Sequence, residues 1–215
     1  ALNQIADALD ANEQSLMRAN SDDLTVAQRS GSSDAFLSRL SLTSEGISYM
    51  ADGVRSIAKL PDPVGEEFDK RTLPNGIELS KRRVPLGVIG SIFEARPEVP
   101  IDISALCIKS GNSVVLRGSK EAVNTNKALG LVIRSALSNT KVPLDVVQVI
   151  ETTDRKVVGE MLKLNEYFDL IIPRGGAELV RYVANEATMP AITGGIGVCH
   201  TYIDYSANVD DAFAI

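Results

Sequence analysis

Histidine occurs once in this chain, cysteine twice and tryptophan not at all. A lone histidine, His200, cannot build a metal site, and no cluster of other ligands compensates for it. The two cysteines, Cys107 and Cys199, make neither a disulfide framework nor a zinc spacing, so a reducing cytoplasm is the expected setting. A basic excess is also missing. Lys and Arg number 22 against 28 Asp and Glu, and the net charge of −6 argues against a general nucleic-acid binder. No apolar run approaches the roughly 18 residues that cross a bilayer, and the opening ALNQIADALDANEQ carries acids where a secretory leader carries a basic region. No membrane role is expected. The absence of tryptophan excludes nothing. The sharp nucleotide signatures are absent as well: there is no GxxxxGK[ST] and no GxGxxG after a strand, and Gly87-Val88-Ile89-Gly90 fits neither.

What is present suits an ordinary globular chain. The 215 residues are 44% apolar and 23% charged, enough for a substantial core. Residues 1–60 read as a helical segment covering something else. Leu2, Ile5, Ala6 and Leu9 share one helix face, and Ile47, Met50, Val54, Ile57 and Ala58 repeat the pattern in a helix that Ser44 would cap. Between them, residues 24–42 are rich in Ser, Asp and Gly and predict short helical turns. Pro61 and Pro63 end the helix. Residues 61–85 hold two extended runs, 66–73 and 77–84, about Pro74-Asn75-Gly76, a hairpin signal. The second arm is long and charged, and the 66–84 hairpin is expected to complete itself against another copy as a homo-oligomer contact.

From residue 86 the texture changes. Apolar runs at 86–93, 113–116, 145–150, 169–172 and 191–193 alternate with helical patterns at 98–109, 121–137, 155–164 and 177–185. Uninterrupted apolar strands between helices imply a parallel sheet covered on both faces, an α/β fold spanning 86–205. VCHTYID reads as one further strand, and 206–215 as the start of a linker helix.

Ligands of such a sheet bind at the carboxyl ends of its strands, which directs attention to SIFEARPE, RGSKE, ETTD, PRGG and TGGIG. In Arg117-Gly118-Ser119-Lys120, a glycine, a capping serine and two cations stand at a helix start and suit a phosphate-bearing ligand; the same loop also reads as a solvated basic turn. Arg174-Gly175-Gly176 repeats the arrangement. Glu94 and Arg96 form a third polar group, readable as a structural pair. Cys107 sits among Ile103, Leu106 and Ile108 and reads as a small core residue. Cys199 and His200 are strand neighbours that point to opposite faces and make a poor thiolate–imidazole pair.

The run VPLGVIGSIFEARPEVPIDISALCIKSGNSVVLRGSKEAVNTNKAL, with DLIIPRGGAELVRYV and ATMPAITGGIGVCHTYIDYSANVDDA, resembles the γ-glutamyl phosphate reductase family of the aldehyde dehydrogenase superfamily, over about the first half of such an enzyme. The resemblance implies a Rossmann-like sheet of the aldehyde dehydrogenase type, NADPH as cofactor, γ-glutamyl phosphate as substrate, a role in proline biosynthesis, and glutamate 5-kinase as a candidate partner. It implies that no catalytic residue lies in this chain, the nucleophilic cysteine being expected beyond Ile215. It further implies that Ser91, Ile92, Phe93 and Glu94 line the nicotinamide ribose side. Arg96 falls where the superfamily usually has an asparagine that polarises the thioester oxygen, and a guanidinium there is expected to hold the acyl phosphate instead, since it prefers bidentate anions. Arg117, Gly118, Ser119 and Lys120 would meet the adenosine ribose and its 2′-phosphate. Arg174, Gly175 and Gly176 would hold the pyrophosphate, with Thr193 and Gly194 under the nicotinamide. Ile192 stands about where hydrolytic relatives carry a water-activating glutamate, a departure that suits reduction of an activated acyl group. An acyl-CoA-type aldehyde dehydrogenase and a non-catalytic nucleotide-binding or assembly module remain as alternatives.

Overall fold

The amphipathic stripes of the N-terminal segment form helices α1 (Leu2–Ala11), α2 (Glu13–Arg29), α3 (Asp34–Leu40) and α4 (Ser44–Lys59) in the computed structural model, which describes residues 1–194, 200–208 and 210. Leu2, Ile5, Ala6 and Leu9 are buried as their spacing predicts, and α4 buries Ile47, Met50, Ala51 and Val54 against them. Two details differ from expectation. The cap of α4 is Thr43, whose Oγ1 accepts from Gly46 N at 3.0 Å, while Ser44 Oγ donates to Glu13 at 2.5 Å. The polar stretch after residue 24 is not a string of short turns, because α2 runs on to Arg29 and α3 restarts at a Ser33 cap.

The reason α2 persists is a polar seam. Asn20 and Asp23 are 1% and 3% exposed. Asn20 donates to Leu40 O at 2.8 Å and accepts from Leu42 N at 2.8 Å, tying α2 to the chain after α3. Asp23 reaches a distant helix start, accepting from the backbone N–H groups of Asn124 (3.1 Å) and Thr125 (2.8 Å), the Asn124 amide (2.9 Å) and the Thr125 hydroxyl (2.7 Å).

The hairpin follows as β1 (Glu67–Thr72) and β2 (Glu78–Arg82), antiparallel, with a bulge between Phe68 and Arg71 where Asp69 has φ 53°. Gly76 N donates to Leu73 O and Leu73 N to Ile77 O. Only Gly76, not Asn75, has positive φ, so a turn led by Pro74 ends on a left-handed glycine rather than placing both central residues there. Every residue of both strands is exposed.

The α/β part comprises β3 (Val88–Phe93), α5 (Glu98–Lys109), β4 (Ser113–Arg117), α6 (Val123–Leu137), β5 (Val147–Val149), α7 (Lys156–Met161), β6 (Leu170–Arg174) and α8 (Ala177–Glu186). The sheet is parallel in the order β5-β4-β3-β6, so β3 is paired on both edges. Side chains alternate between two cores. Ile89 and Phe93 pack with α1, α4, α5 and α6, whereas Ile92 joins Ile171, Val158, Leu162 and Val183 beneath α7 and α8. The expected strand at 191–193 is a single parallel bridge of Ala191 to Ile171. Pro190 offers Ile171 a carbonyl but has no N–H to extend the ladder. Residues 200–204 carry no strand, and the first two residues of VCHTYID lie outside the described residues, as do 209 and 211–215 of the expected helix at 206–215. Among the described residues, no helix is long and apolar enough to cross a membrane.

Removing a carboxylate from water costs several kcal/mol, and hydrogen bonds to charged groups return roughly 1.5–3 kcal/mol each. Four of them make Asp23 a net tie between α2 and α6. Asp23→Ala should therefore lower unfolding stability by about 3 kcal/mol and Asp23→Asn by less, measured by the urea midpoint; an unchanged midpoint in Asp23→Ala would refute the assignment.

Candidate functional site

From β3 the chain steps to β4 and then β5 at one edge, and then returns to the other side of β3 for β6. That reversal is a topological switch point, and the crevice opens at the carboxyl ends of β3 and β6. Phe93 stands opposite Arg174 in the register, so the loop after β3 and the glycine pair after β6 emerge side by side. The N-terminal helices support this edge: Ala95 and Ala122, from the loops after β3 and β4, pack with Ala27 and Leu40 and with Phe36 and Leu37 at the rim.

Glu94 is the residue that joins the two loops. Its backbone N–H donates to Arg174 O at 3.1 Å, and its Oε1 accepts from Gly176 N, the N-cap of α8, at 2.8 Å. Glu94 and Arg96 do not form the structural pair that the sequence allowed. Arg96 is half exposed and comes no closer than 4.0 Å to Glu98. Beside them, partial desolvation and the charge of Glu98 push the Asp102 carboxyl above its ordinary range, while Arg174 pulls it down. Ser91, Ile92 and Phe93 are buried within β3, leaving Glu94 as the member of that run whose side chain reaches the surface.

Arg117 is 7% exposed. Its guanidinium donates to Gly118 O at 2.9 Å, Thr153 O at 3.3 Å and Asp154 O at 3.2 Å, and so braces the loop after β4 against the loop after β5. Burial, with the charge of Arg155, draws its pKa below the ordinary arginine value; Glu121 and Asp154 oppose this. Lys120 is the cation of this loop that faces solvent, with its ammonium 4.0 Å from Glu121. Between the two loops runs a groove lined by Gly118, Ser119, Asn126, Lys127, Ile150 and Thr152. Of the lining residues, Ser119 Oγ and Asn126 Oδ1 are buried without a hydrogen-bond partner, and so is Nε of the adjacent Arg117. A Cβ on Gly118 would overlap the Asn126 amide and lie 3.0 Å from Phe93, so glycine is required where the groove floor is tight. The enclosed volume is about 10 Å³, room for one water at most, so a larger ligand would lie along the groove with one side in solvent. A larger hollow of about 460 Å³ lies elsewhere, along the hairpin between Glu67, Arg71, Glu78 and Leu79, and offers only exposed side chains.

Thr193 and Gly194 are exposed just beyond the Ala191 bridge, and Ile192 is 57% exposed. Cys107 is 4% exposed, and burial pushes its thiol up to about 11, the state of an inert core cysteine. Cys199 lies outside the described residues, and among the described residues no group of three potential metal ligands gathers. Sequence reasoning missed Asp23, Asn126 and the carbonyls of Thr153 and Asp154. Only the last two had a signal, since ETTD follows a strand at the ligand-binding end.

These features have close parallels. The chain is 48% identical over 215 residues to a gamma-glutamyl phosphate reductase of Proteus mirabilis, covering all of this chain and 52% of that protein. It is 47% identical to one of Escherichia fergusonii, covering 51% of it. The chain thus spans about half the length of the curated relatives it matches. The crystal structure of gamma-glutamyl phosphate reductase from Thermotoga maritima superposes with a TM-score of 0.89 at 39% identity, over 98% of this chain and 51% of that one. An acetylating aldehyde dehydrogenase from Geobacillus thermoglucosidasius, 16% identical with a TM-score of 0.64 over 88% of this chain and 39% of that one, shares the fold. The match to the aldehyde dehydrogenase family runs from residue 1 to residue 214 and takes in the helical segment, the hairpin and the switch-point sheet together, and the chain belongs to that family.

Proposed function

We propose that this chain is the cofactor-binding part of an NADPH-dependent γ-glutamyl phosphate reductase, which forms glutamate 5-semialdehyde in proline biosynthesis. The observation that carries the reading is 48% identity, extending over the whole chain, to a relative named gamma-glutamyl phosphate reductase. A likeness of that extent favours the acyl-phosphate branch over the acyl-CoA branch, whose parallel is one of fold.

NADPH, when bound, supplies the hydride for the reduction. The residues fit such a ligand: the groove after β4 and β5 is lined by Ser119 and Asn126, whose hydroxyl and amide oxygen lack partners within the chain, a donor and acceptor pair of the kind a ribose or a base edge requires. Ser119 and Asn126 would hold the adenosine, with Gly118 admitting it close to the backbone. Lys120, exposed beside them, would meet the 2′-phosphate, and Arg117 holds the two loops in register for it. Arg174, Gly175 and Gly176 would take the pyrophosphate at the start of α8. Thr193 and Gly194 would lie under the nicotinamide, with apolar Ile192 unable to activate water against the acyl intermediate. Arg96 would receive the acyl phosphate through its planar fork. Burial and a raised pKa make Cys107 unsuited as nucleophile, and in this reading the reacting thiol lies in the half of such an enzyme that this chain does not span. The hairpin is the natural oligomer contact, since an isolated two-stranded ribbon is marginal in water and Phe68, Ile77 and Leu79 are exposed on or beside it.

Three outcomes follow. NADPH fluorescence should saturate on titration with this polypeptide, and Lys120→Ala should weaken NADPH roughly tenfold while leaving NADH unchanged. No saturation at millimolar cofactor would reject nucleotide binding, and equal losses would reject the 2′-phosphate assignment. Burial raises the Cys107 thiol to about 11 and keeps it protonated at pH 8, so peptide mapping after brief native alkylation should find Cys107 unlabelled and, after denaturation, labelled. Replacing Ile77 and Leu79 by lysine should shift sedimentation toward the monomer; an unaltered sedimentation coefficient would count against the hairpin contact.

A further inference from the structure

We infer that Glu94 is an internal occupant of the anion-binding loop, a carboxylate that an incoming phosphate group must displace, so that Glu94 sets how strongly and how selectively the loop accepts anions. The inference rests on the reading of Arg174, Gly175 and Gly176 as a phosphate-holding loop. It adds a competitor that this reading does not contain.

The resemblance places Glu94 beside the nicotinamide ribose, and the structure shows what its carboxylate holds in the free chain. It sits on the N-cap amide of α8, with Oε1 2.8 Å from Gly176 N. Helix caps ordinarily come from the residue just before the helix. This one comes from 82 positions away, on the neighbouring strand of the switch-point crevice. The loop is shaped to the carboxylate as well as bonded to it: a Cβ on Gly175 would lie 2.7 Å from both Cδ and Oε1 of Glu94, and one on Gly176 would lie 3.4 Å from Oε1. The Glu94 backbone is held by its N–H to Arg174 O at 3.1 Å, so the side chain can leave without the strand moving. Glu94, Gly175 and Gly176 are all exposed, so the departing carboxylate enters water and no charge is stranded in the interior.

The physical consequence is exclusion. One N–H at one helix start cannot serve a carboxylate and a phosphate oxygen together, and two anions at van der Waals distance repel. A ligand must therefore outbid a charge-assisted hydrogen bond that is already formed. A pyrophosphate, with two negative charges spread over several acceptor oxygens and drawing also on the exposed Arg174, can do so, whereas a singly charged carboxylate ligand gains nothing over Glu94. In the free chain the same contact satisfies the α8 amide and keeps the positive end of that helix from attracting other anions.

The test titrates inorganic pyrophosphate and NADPH into the full chain by calorimetry and follows the Gly176 amide by nitrogen–proton correlation spectra. Glu94→Ala should bind pyrophosphate roughly tenfold tighter than the unaltered chain. Glu94→Gln, which retains an acceptor without the charge, should fall between. Glu94→Asp, which keeps the charge on a shorter arm, should behave like Glu94→Ala. The Gly176 signal should move on addition of pyrophosphate in every case. Equal affinities in all four proteins, with Gly176 still responding, would overturn the competition and leave the nucleotide reading standing. Weaker NADPH binding by Glu94→Ala would overturn it in favour of Glu94 as a direct cofactor ligand. Binding of neither ligand to any of the proteins would remove the nucleotide reading and the inference with it. Should Glu94→Ala fail to fold, the Gln and Asp variants decide the matter by the same comparisons.

Discussion

The double pairing of β3 is the constraint on which this structure depends. A strand bonded to neighbours on both edges and buried on both faces has no contact left with water, so each face needs a helical layer and each edge a parallel partner. Residues 88–93 meet the demand with side chains that serve two cores, Ile89 and Phe93 on one side and Ile92 on the other. Once β3 is central, β4 and β6 must lie on opposite sides of it, and the chain has to reverse direction across the sheet. The crevice is thus a topological by-product of burying one apolar strand. The residues it brings together, Glu94 from β3 and Gly176 after β6, are far apart in the chain because the reversal comes late.

The N-terminal helices are as much a part of the site as of the core. Asp23 supplies from α2 the cap that α6 lacks at its own start, and α6 carries Asn126 into the groove. Ala27 and Leu40 press against Ala95 and Ala122, from the loops after β3 and β4. A sheet of this kind could be covered by any apolar helices. What this cover adds is a fixed position for the loops at the carboxyl ends.

Charge at the site is largely committed within the chain. Arg117 spends its guanidinium on three carbonyls, which brace β4 and β5 loops and leave Lys120 as the exposed cation. Glu94 spends its carboxylate on the α8 amide. Two of the charged residues that a motif reading assigns to the ligand are therefore engaged by backbone first.

Local chemistry determined much of this protein, and the sequence discloses that part. Residues 98–109 were delimited as a helix and are one, because an apolar stripe and the turn that follows Lys109 are contained in the segment itself. The Pro74–Gly76 turn, the burial of Cys107 and the strands 88–93 and 113–117 were legible for the same reason, as was the α/β class. The loops at the ligand-binding end could be named in advance because strand direction alone places them. Tertiary structure decided what distance conceals. The helix α2 survives a polar sequence because Asn20 and Asp23 find partners about a hundred residues away or across a turn, which no periodicity can register. The run at 191–193 looked like a strand but adds one bridge, since Pro190 cannot continue the ladder. That Arg117 would also reach the carbonyls of Thr153 and Asp154, beyond β5, could not be read from its motif. Sequence determines what each segment prefers to form; which polar group meets which, across a sheet that folds back on its first strand, is settled only when the chain has closed around β3.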